Sequence, residues 1–233
     1  MKQGGVAMGM FLSAGGLFGV ATAAYEEARD TVEEGVAHRA SLNAIVFSAI
    51  ALEAFINEVA EYAAMSATDG SPAIGNFAAL AREVEEAHGS IRLKFLLASA
   101  VLGGRAYDRG IQPYQDFALL VAVRNAIVHH KPEDRIQGQE EDEEIGNSVV
   151  PRKLTEQLRG RHLIEVNLIN QASFLQLIAT PKMAAWACDT AANMVRSLVD
   201  TFPASSFKRS MQFQTRPFQP MQRVRSPQEP TDD

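Results

Sequence analysis

The residues best suited to chemistry lie in one segment, PYQDFALLVAVRNAIVHHKP at 113–132. An arginine, an amide and two histidines follow one another closely there: Arg124, Asn125, His129 and His130. Imidazole titrates near neutral pH and can take or give a proton, and a guanidinium offers two planar donors to phosphate oxygens. Such groups suit proton transfer and the binding of an anionic oxygen.

A single helix is predicted to position these side chains. Pro113 suits the first helical position and Pro132 a stop, which predicts about five turns between them. Arg124 falls inside a broad apolar arc that should face the core, so it is expected to be paired or to line a pocket. The arc is formed by Phe117, Leu119, Leu120, Val121, Val123, Ile127 and Val128.

Asn125 and His129 lie one turn apart on another strip of this predicted helix. Small residues share the strip, and they would let a second backbone, a partner subunit or a substrate approach closely: Ala118, Ala122 and Ala126. Arg124 and His129 differ by about 140° around the helix axis, so one helix alone does not make the two side chains converge. His130 points away, and we interpret it as structural or auxiliary.

An apolar segment at 42–64 is predicted to be the central helix, because large apolar residues fall on all its sides. Glu53 is its only charge between Ala40 and Asn57, and Asn57 lies one turn further along the same edge. A buried carboxylate and a buried guanidinium each cost on the order of several kcal/mol when unpaired. Glu53 and Arg124 are therefore predicted to lie in contact.

The remaining segments complete an all-α chain. Further helices are predicted at 16–38, 76–87, 90–102, 151–163 and 180–203, with a loop at 68–75. No repeat and no long alternating run indicates a sheet. We expect a flexible or targeting N-terminus at 1–15, a helical domain at 16–203 with a mobile acidic loop at 131–150, and a disordered basic tail at 204–233.

Composition narrows the class of protein. A chain of 233 residues with 46% hydrophobic content is expected to form one core and one domain. Its single cysteine, Cys188, excludes an internal disulfide and a cysteine-based zinc site, and we expect it to pack in the core. A net charge of −6 disfavours coating of duplex nucleic acid, so any such contact must be local.

Residues 4–25 carry no charge and have two interpretations. Their glycines lower the hydrophobicity, and the helical pattern continues beyond them. Both features favour a first helix that remains in the mature protein. We expect a cytoplasmic protein that does not insert into a membrane. A signal peptide or spanning helix, and with it an exported or membrane-attached protein, is the alternative. No cofactor or metal is expected, because His38, His88 and His162 lie far apart with no carboxylate at ligand spacing.

The run LLVAVRNAIVHHKP resembles the signature helix of the HEPN superfamily (higher eukaryotes and prokaryotes nucleotide-binding domains). That signature is an arginine, a polar residue after it and a histidine four to six residues on, which Arg124, Asn125 and His129 fit. The resemblance covers most of residues 40–203. It includes the family's central helix at 50–62, the next at 89–97 and the closing helix at 180–203. It implies an up-down helical bundle of HEPN type with a short extra helix.

The resemblance also implies metal-independent RNA cleavage, in which a ribose 2′-hydroxyl attacks the adjacent phosphodiester and leaves a cyclic phosphate. Arg124 and His129 would be catalytic with Asn125, and we add Asn57 and His130 as auxiliaries. Two signature helices would share one cleft in a homodimer, as in toxin–antitoxin and phage-defence ribonucleases, with RNA as substrate and an antitoxin as a further partner. The alternative is a non-catalytic dimer that binds nucleotide, RNA or protein.

Overall fold

The computed structural model describes residues 13–66, 71–129, 152–165 and 172–221. Within these ranges the regular structure is entirely helical, which confirms the predicted all-α class. The helices are α1 (Ala14–Asp30), α2 (Glu34–Ser66), α3 (Pro72–Glu86), α4 (Ile91–Leu102), α5 (Tyr114–Val128), α6 (Arg152–Gly160), α7 (Phe174–Ile178), α8 (Pro181–Thr201) and α9 (Ser206–Gln214).

Helices α1 and α2 form an antiparallel hairpin. Thr31 separates them, because its backbone is extended and its hydroxyl accepts a hydrogen bond from the Glu33 N–H at 3.2 Å. The Glu58 carboxylate, far along α2, accepts a hydrogen bond from the N–H of Ala14 at 2.8 Å, so the start of α1 lies beside the second half of α2. The unbroken helix predicted at 16–38 is therefore wrong, since the Thr31 side chain offers the backbone a non-helical alternative.

The long helix α2 is the centre of the bundle. It packs against α1, α3, α4, α5, α7, α8 and α9. Its large apolar residues Leu52, Phe55 and Val59 are at most 1% exposed, as expected for a helix enclosed by others. Among the described helices, α2 is also the one whose length and apolar composition would allow it to cross a membrane, a property that enclosed core helices share.

Helices α3 and α4 follow as a pair. Ser71 is the N-cap of α3 and Pro72 stands in its first turn, so the helix occupies part of the loop predicted at 68–75. The Ser90 hydroxyl caps the first turn of α4, which agrees with the helix predicted at 90–102. Helices α6 and α8 likewise fall inside their predicted segments.

The segment after α8 is folded, contrary to the disordered tail predicted at 204–233. Beyond α9 the chain returns Phe218 to the core, where it is 0% exposed. Its ring stacks on Phe18 with 4.6 Å between centroids and meets Phe55 edge-on at 5.7 Å. The polar composition of the tail predicted disorder, but burial of large aromatic rings outweighs it. Residues 222–233 lie outside the described part of the chain.

The helical domain extends beyond the predicted limits, 16–203, at both ends. The described helical domain begins at Ala14 rather than at residue 16, and its packed chain continues to Met221 rather than to residue 203. The helix α7, which no sequence pattern predicted, is a single short turn with a capping box at its start. Residues 1–12 and the acidic loop predicted at 131–150 lie outside the described ranges.

Candidate functional site

The helix α5 positions the candidate residues, and it is shorter than the helix predicted at 113–132. It covers 15 residues and ends with a bond from the His129 N–H to the Asn125 carbonyl at 2.9 Å. His129 is the C-cap, with ψ at 28°, outside the helical range, so it lies at the end of the helix rather than within it. His130 lies outside the described residues.

The buried face of α5 is confined to its earlier turns. Leu120 and Val123 are 0% exposed, in a helix that packs between α2 and α8. Val128 is 52% exposed and so departs from the predicted apolar arc, whereas Ile127 of the same turn packs partly against the core. On this turn the side chains of Asn125 and His129 are exposed to solvent.

Arg124 lies at the boundary between the buried face and the solvent, with its side chain 29% exposed. Its Nη1 donates a hydrogen bond to Oδ1 of Asn125 at 3.1 Å, and its Nη2 lies 3.7 Å from Oε2 of Glu53 on α2. The expected contact between Glu53 and Arg124 is thus present. The expected burial of Glu53 is wrong, because the α2 edge that carries it meets solvent and its side chain is 48% exposed. Pairs as exposed as this one contribute about 0.2–1 kcal/mol to stability.

Asn57 does not join this cluster. One turn beyond Glu53, its Oδ1 accepts a hydrogen bond from Nζ of Lys94 at 2.8 Å. Lys94 is 6% exposed and also forms an ion pair with Glu85 of α3. Asn57 therefore ties α2 to α4 and is a partner of Lys94 rather than of Arg124. The buried lysine is absent from the predicted site residues, although its place inside the apolar run IRLKFLL signalled it.

His129 is exposed at the C-cap of α5, four residues after Asn125. Within the described part of the chain, no side chain fixes its imidazole by a hydrogen bond, so the ring is held only by its backbone position. The alanine strip is less open than expected, since its members pack partly against the core of the same chain: Ala118, Ala122 and Ala126. The approach of a second copy would therefore involve the last turn of α5 more than this strip.

A cleft of about 1220 Å³ lies at the opposite end of α5. One wall is the outward face of α8 from Lys182 to Asp200, and another is the first turn of α5. There Nε of Arg161 donates to Oδ1 of Asp116 at 2.8 Å. None of the candidate residues on the last turn of α5 lines this cleft. Its acidic and basic side chains are mixed, so it is not a uniformly basic groove for a polyanion.

The buried cysteine and the placement of possible metal ligands also bear on the chemistry. Cys188 is 0% exposed, and burial raises the pKa of its thiol to about 11, so it is protonated and unreactive at neutral pH. Among the described residues, no three His, Cys, Asp or Glu side chains are grouped closely enough to hold a metal ion.

Arg124, Asn125 and His129 form an open polar edge at the last turn of α5, with Glu53 facing it from α2. Among the described residues, this end of α5 carries one guanidinium and one imidazole, those of Arg124 and His129. Comparison of the chain with protein-family models, with curated proteins and with solved structures finds no match.

Proposed function

We propose that the protein is a HEPN-like, metal-independent endoribonuclease of the toxin–antitoxin or phage-defence kind, acting as a homodimer through Arg124, Asn125 and His129. The observation that supports this most is the end of α5, where a partly exposed guanidinium is hydrogen-bonded to an exposed amide and the helix ends at an exposed histidine. An enzyme needs these groups in reach of solvent and substrate. A purely structural role would not require that exposure.

The chemistry follows from these groups. The imidazole of His129 takes the proton of a ribose 2′-hydroxyl, and the 2′-oxygen attacks the adjacent phosphorus. Arg124 donates hydrogen bonds to the phosphate oxygens, whose negative charge grows in the transition state. The bond from phosphorus to the 5′-oxygen breaks, a proton passes to that oxygen, and a 2′,3′-cyclic phosphate remains. Asn125 restricts the Arg124 side chain through its 3.1 Å hydrogen bond.

A dimer supplies groups that the described edge of one chain lacks. The reaction needs a base for the 2′-hydroxyl and an acid for the leaving oxygen, and the described edge has a single imidazole, that of His129. A second copy placed edge to edge brings a second imidazole and a second guanidinium. The exposed side chain of Val128 adds apolar surface at the same turn. The proposed active unit is therefore two α5 ends around one phosphate.

The test compares purified wild type with Arg124→Ala and His129→Ala in an RNA cleavage assay that contains EDTA. General acid–base catalysis contributes about 10²- to 10⁴-fold, so each variant should lose at least about a hundredfold in rate. Arg109→Ala, which removes an exposed arginine from the loop before α5, is the matched control and should cleave like wild type. The products should carry 2′,3′-cyclic phosphate ends. A folded wild-type dimer that leaves RNA intact would contradict the proposal.

A second candidate function is a non-catalytic dimer that binds RNA, nucleotide or a protein. The contact with Glu53 favours it, because the carboxylate already neutralises part of the Arg124 charge and ties α5 to α2. In that case wild type would bind RNA without cleaving it, and His129→Ala would bind as well as wild type. The same protein samples, assayed for binding and cleavage side by side, separate the two functions.

A further inference from the structure

The Arg124 guanidinium has donors that the described residues leave unused. A guanidinium carries five N–H groups, and Nη1 gives one of its own to Asn125 at 3.1 Å. The Glu53 oxygen lies 3.7 Å from Nη2, beyond the usual hydrogen-bond range of about 2.7–3.2 Å. Glu53 therefore attracts the positive charge without forming a short bond to the Nη2 edge.

This edge is open to a competing anion. The Arg124 side chain is 29% exposed and that of Glu53 is 48% exposed, so solvent reaches both groups. A phosphate oxygen at bonding distance from Nη2 would form a charge-assisted hydrogen bond that Glu53 does not make. It would also lie beside the Glu53 carboxylate, and like charges at that separation repel.

The Glu53 carboxylate can also lose its contact with Arg124 without disturbing the fold. Its neighbours on α2, Ala51, Leu52 and Phe55, are at most 1% exposed and hold the helix in place by apolar packing. An exposed ion pair adds little to that packing. The carboxylate is thus free to turn into solvent when a stronger anion arrives.

We propose that Glu53 is a built-in competitor that limits the affinity of Arg124 for the phosphate groups of single-stranded nucleic acid. The inference rests on the phosphate-binding role given to Arg124 in the proposed function, and it adds a residue that weakens binding rather than one that catalyses. Removing the Glu53 charge strengthens binding, and the gain requires Arg124.

The probe is a single strand of twelve thymidine deoxynucleotides, which lacks 2′-hydroxyls and so is not cleaved by transesterification. Glu53→Gln should bind it about two- to fivefold more tightly than wild type, the range expected for loss of one exposed ion pair. The gain should disappear in the Glu53→Gln, Arg124→Ala double variant. Glu26→Gln, which removes an exposed charge from α1, is the matched control for net charge. Fluorescence anisotropy at low and moderate salt measures the dissociation constants.

Three results would overturn the inference: Glu53→Gln binding no tighter than Glu26→Gln, Glu53→Gln binding more weakly than wild type, or a gain that persists without Arg124. The second result would mean that Glu53 orients the arginine instead of competing for it. RNA cleavage is a separate readout. A protein that shows the Arg124-dependent gain but cleaves no RNA would retain this inference and lose the proposed nuclease function.

Discussion

Replacing Gly15 by alanine tests whether the segment after α9 belongs to the folded domain. A Cβ on Gly15 would lie 2.9 Å from Cγ and 3.3 Å from Cβ of Pro217. Pro217 cannot shift freely, because the next residue, Phe218, is buried against Phe18 of the same helix α1. The added methyl group must therefore displace a packed segment.

Replacing the neighbouring Gly16 by alanine is the matched control, since a Cβ added there would meet no atom within 4 Å. Both glycines stand in the first turn of α1, so both alanine variants gain a similar helix propensity of up to about 1 kcal/mol. Overpacking costs about 1–3 kcal/mol. Gly16→Ala should therefore be more stable than wild type, and Gly15→Ala should be less stable than Gly16→Ala by about 1–3 kcal/mol.

Urea and thermal unfolding followed by circular dichroism measure this difference, with about 2–4 °C in Tm expected per kcal/mol for a chain of this size. Pro217→Ala removes the Cγ atom, and in that background the Gly15→Ala variant should recover most of the loss. Equal stability of the Gly15 and Gly16 variants in the wild-type background would refute the packing of Pro217 on α1.

Three further predictions follow from buried and strained groups. Burial raises the pKa of Tyr107 to about 12 from its ordinary value near 10, so the folded state retains the phenol proton more tightly than the unfolded chain. About 2–3 kcal/mol of stability present below pH 10 should be lost between pH 10 and 12, and Tyr107→Phe should flatten that decline in unfolding free energy. Cys188, the single cysteine, should react with Ellman's reagent at pH 8 only as fast as the protein unfolds, whereas reaction at the rate of a free thiol would contradict its burial. His162 ends α6 with a positive φ of 56°, so His162→Gly should stabilise the protein by up to about 1 kcal/mol, whereas His38→Gly inside α2 should destabilise it by about 1 kcal/mol.

The sequence predicted best those helices that have a capping residue or a proline at their ends. Ser90 before α4 and the prolines that flank α8 mark their boundaries directly in the sequence. The helix break at Thr31 was harder to predict, because the apolar pattern continues across it. A single hydrogen bond to the Thr31 hydroxyl accompanies the division into two helices. The fold of the C-terminal segment depends on Phe218 meeting α1, a contact between distant parts of the chain that no local pattern contains.

In the candidate site, too, some features were predictable from the sequence and others depended on the fold. The apolar surroundings of Glu53 and Arg124 correctly predicted that the two side chains meet. Their exposure was not predictable, since it depends on where neighbouring helices stop covering the edge of α2. The end of α5 before His129 is likewise set by a backbone angle at one residue rather than by the proline that follows.

The stacking of Phe218 on Phe18 has a consequence for how the protein is made. The two residues lie 200 positions apart, from 18 to 218, and a ribosome synthesises the chain from its N-terminus. The α1–α2 hairpin can pair early, but the rings of Phe18 and Phe55 lack their contact with Phe218 until that residue has emerged. Nascent chains stalled before residue 218 should therefore expose apolar surface that attracts chaperones.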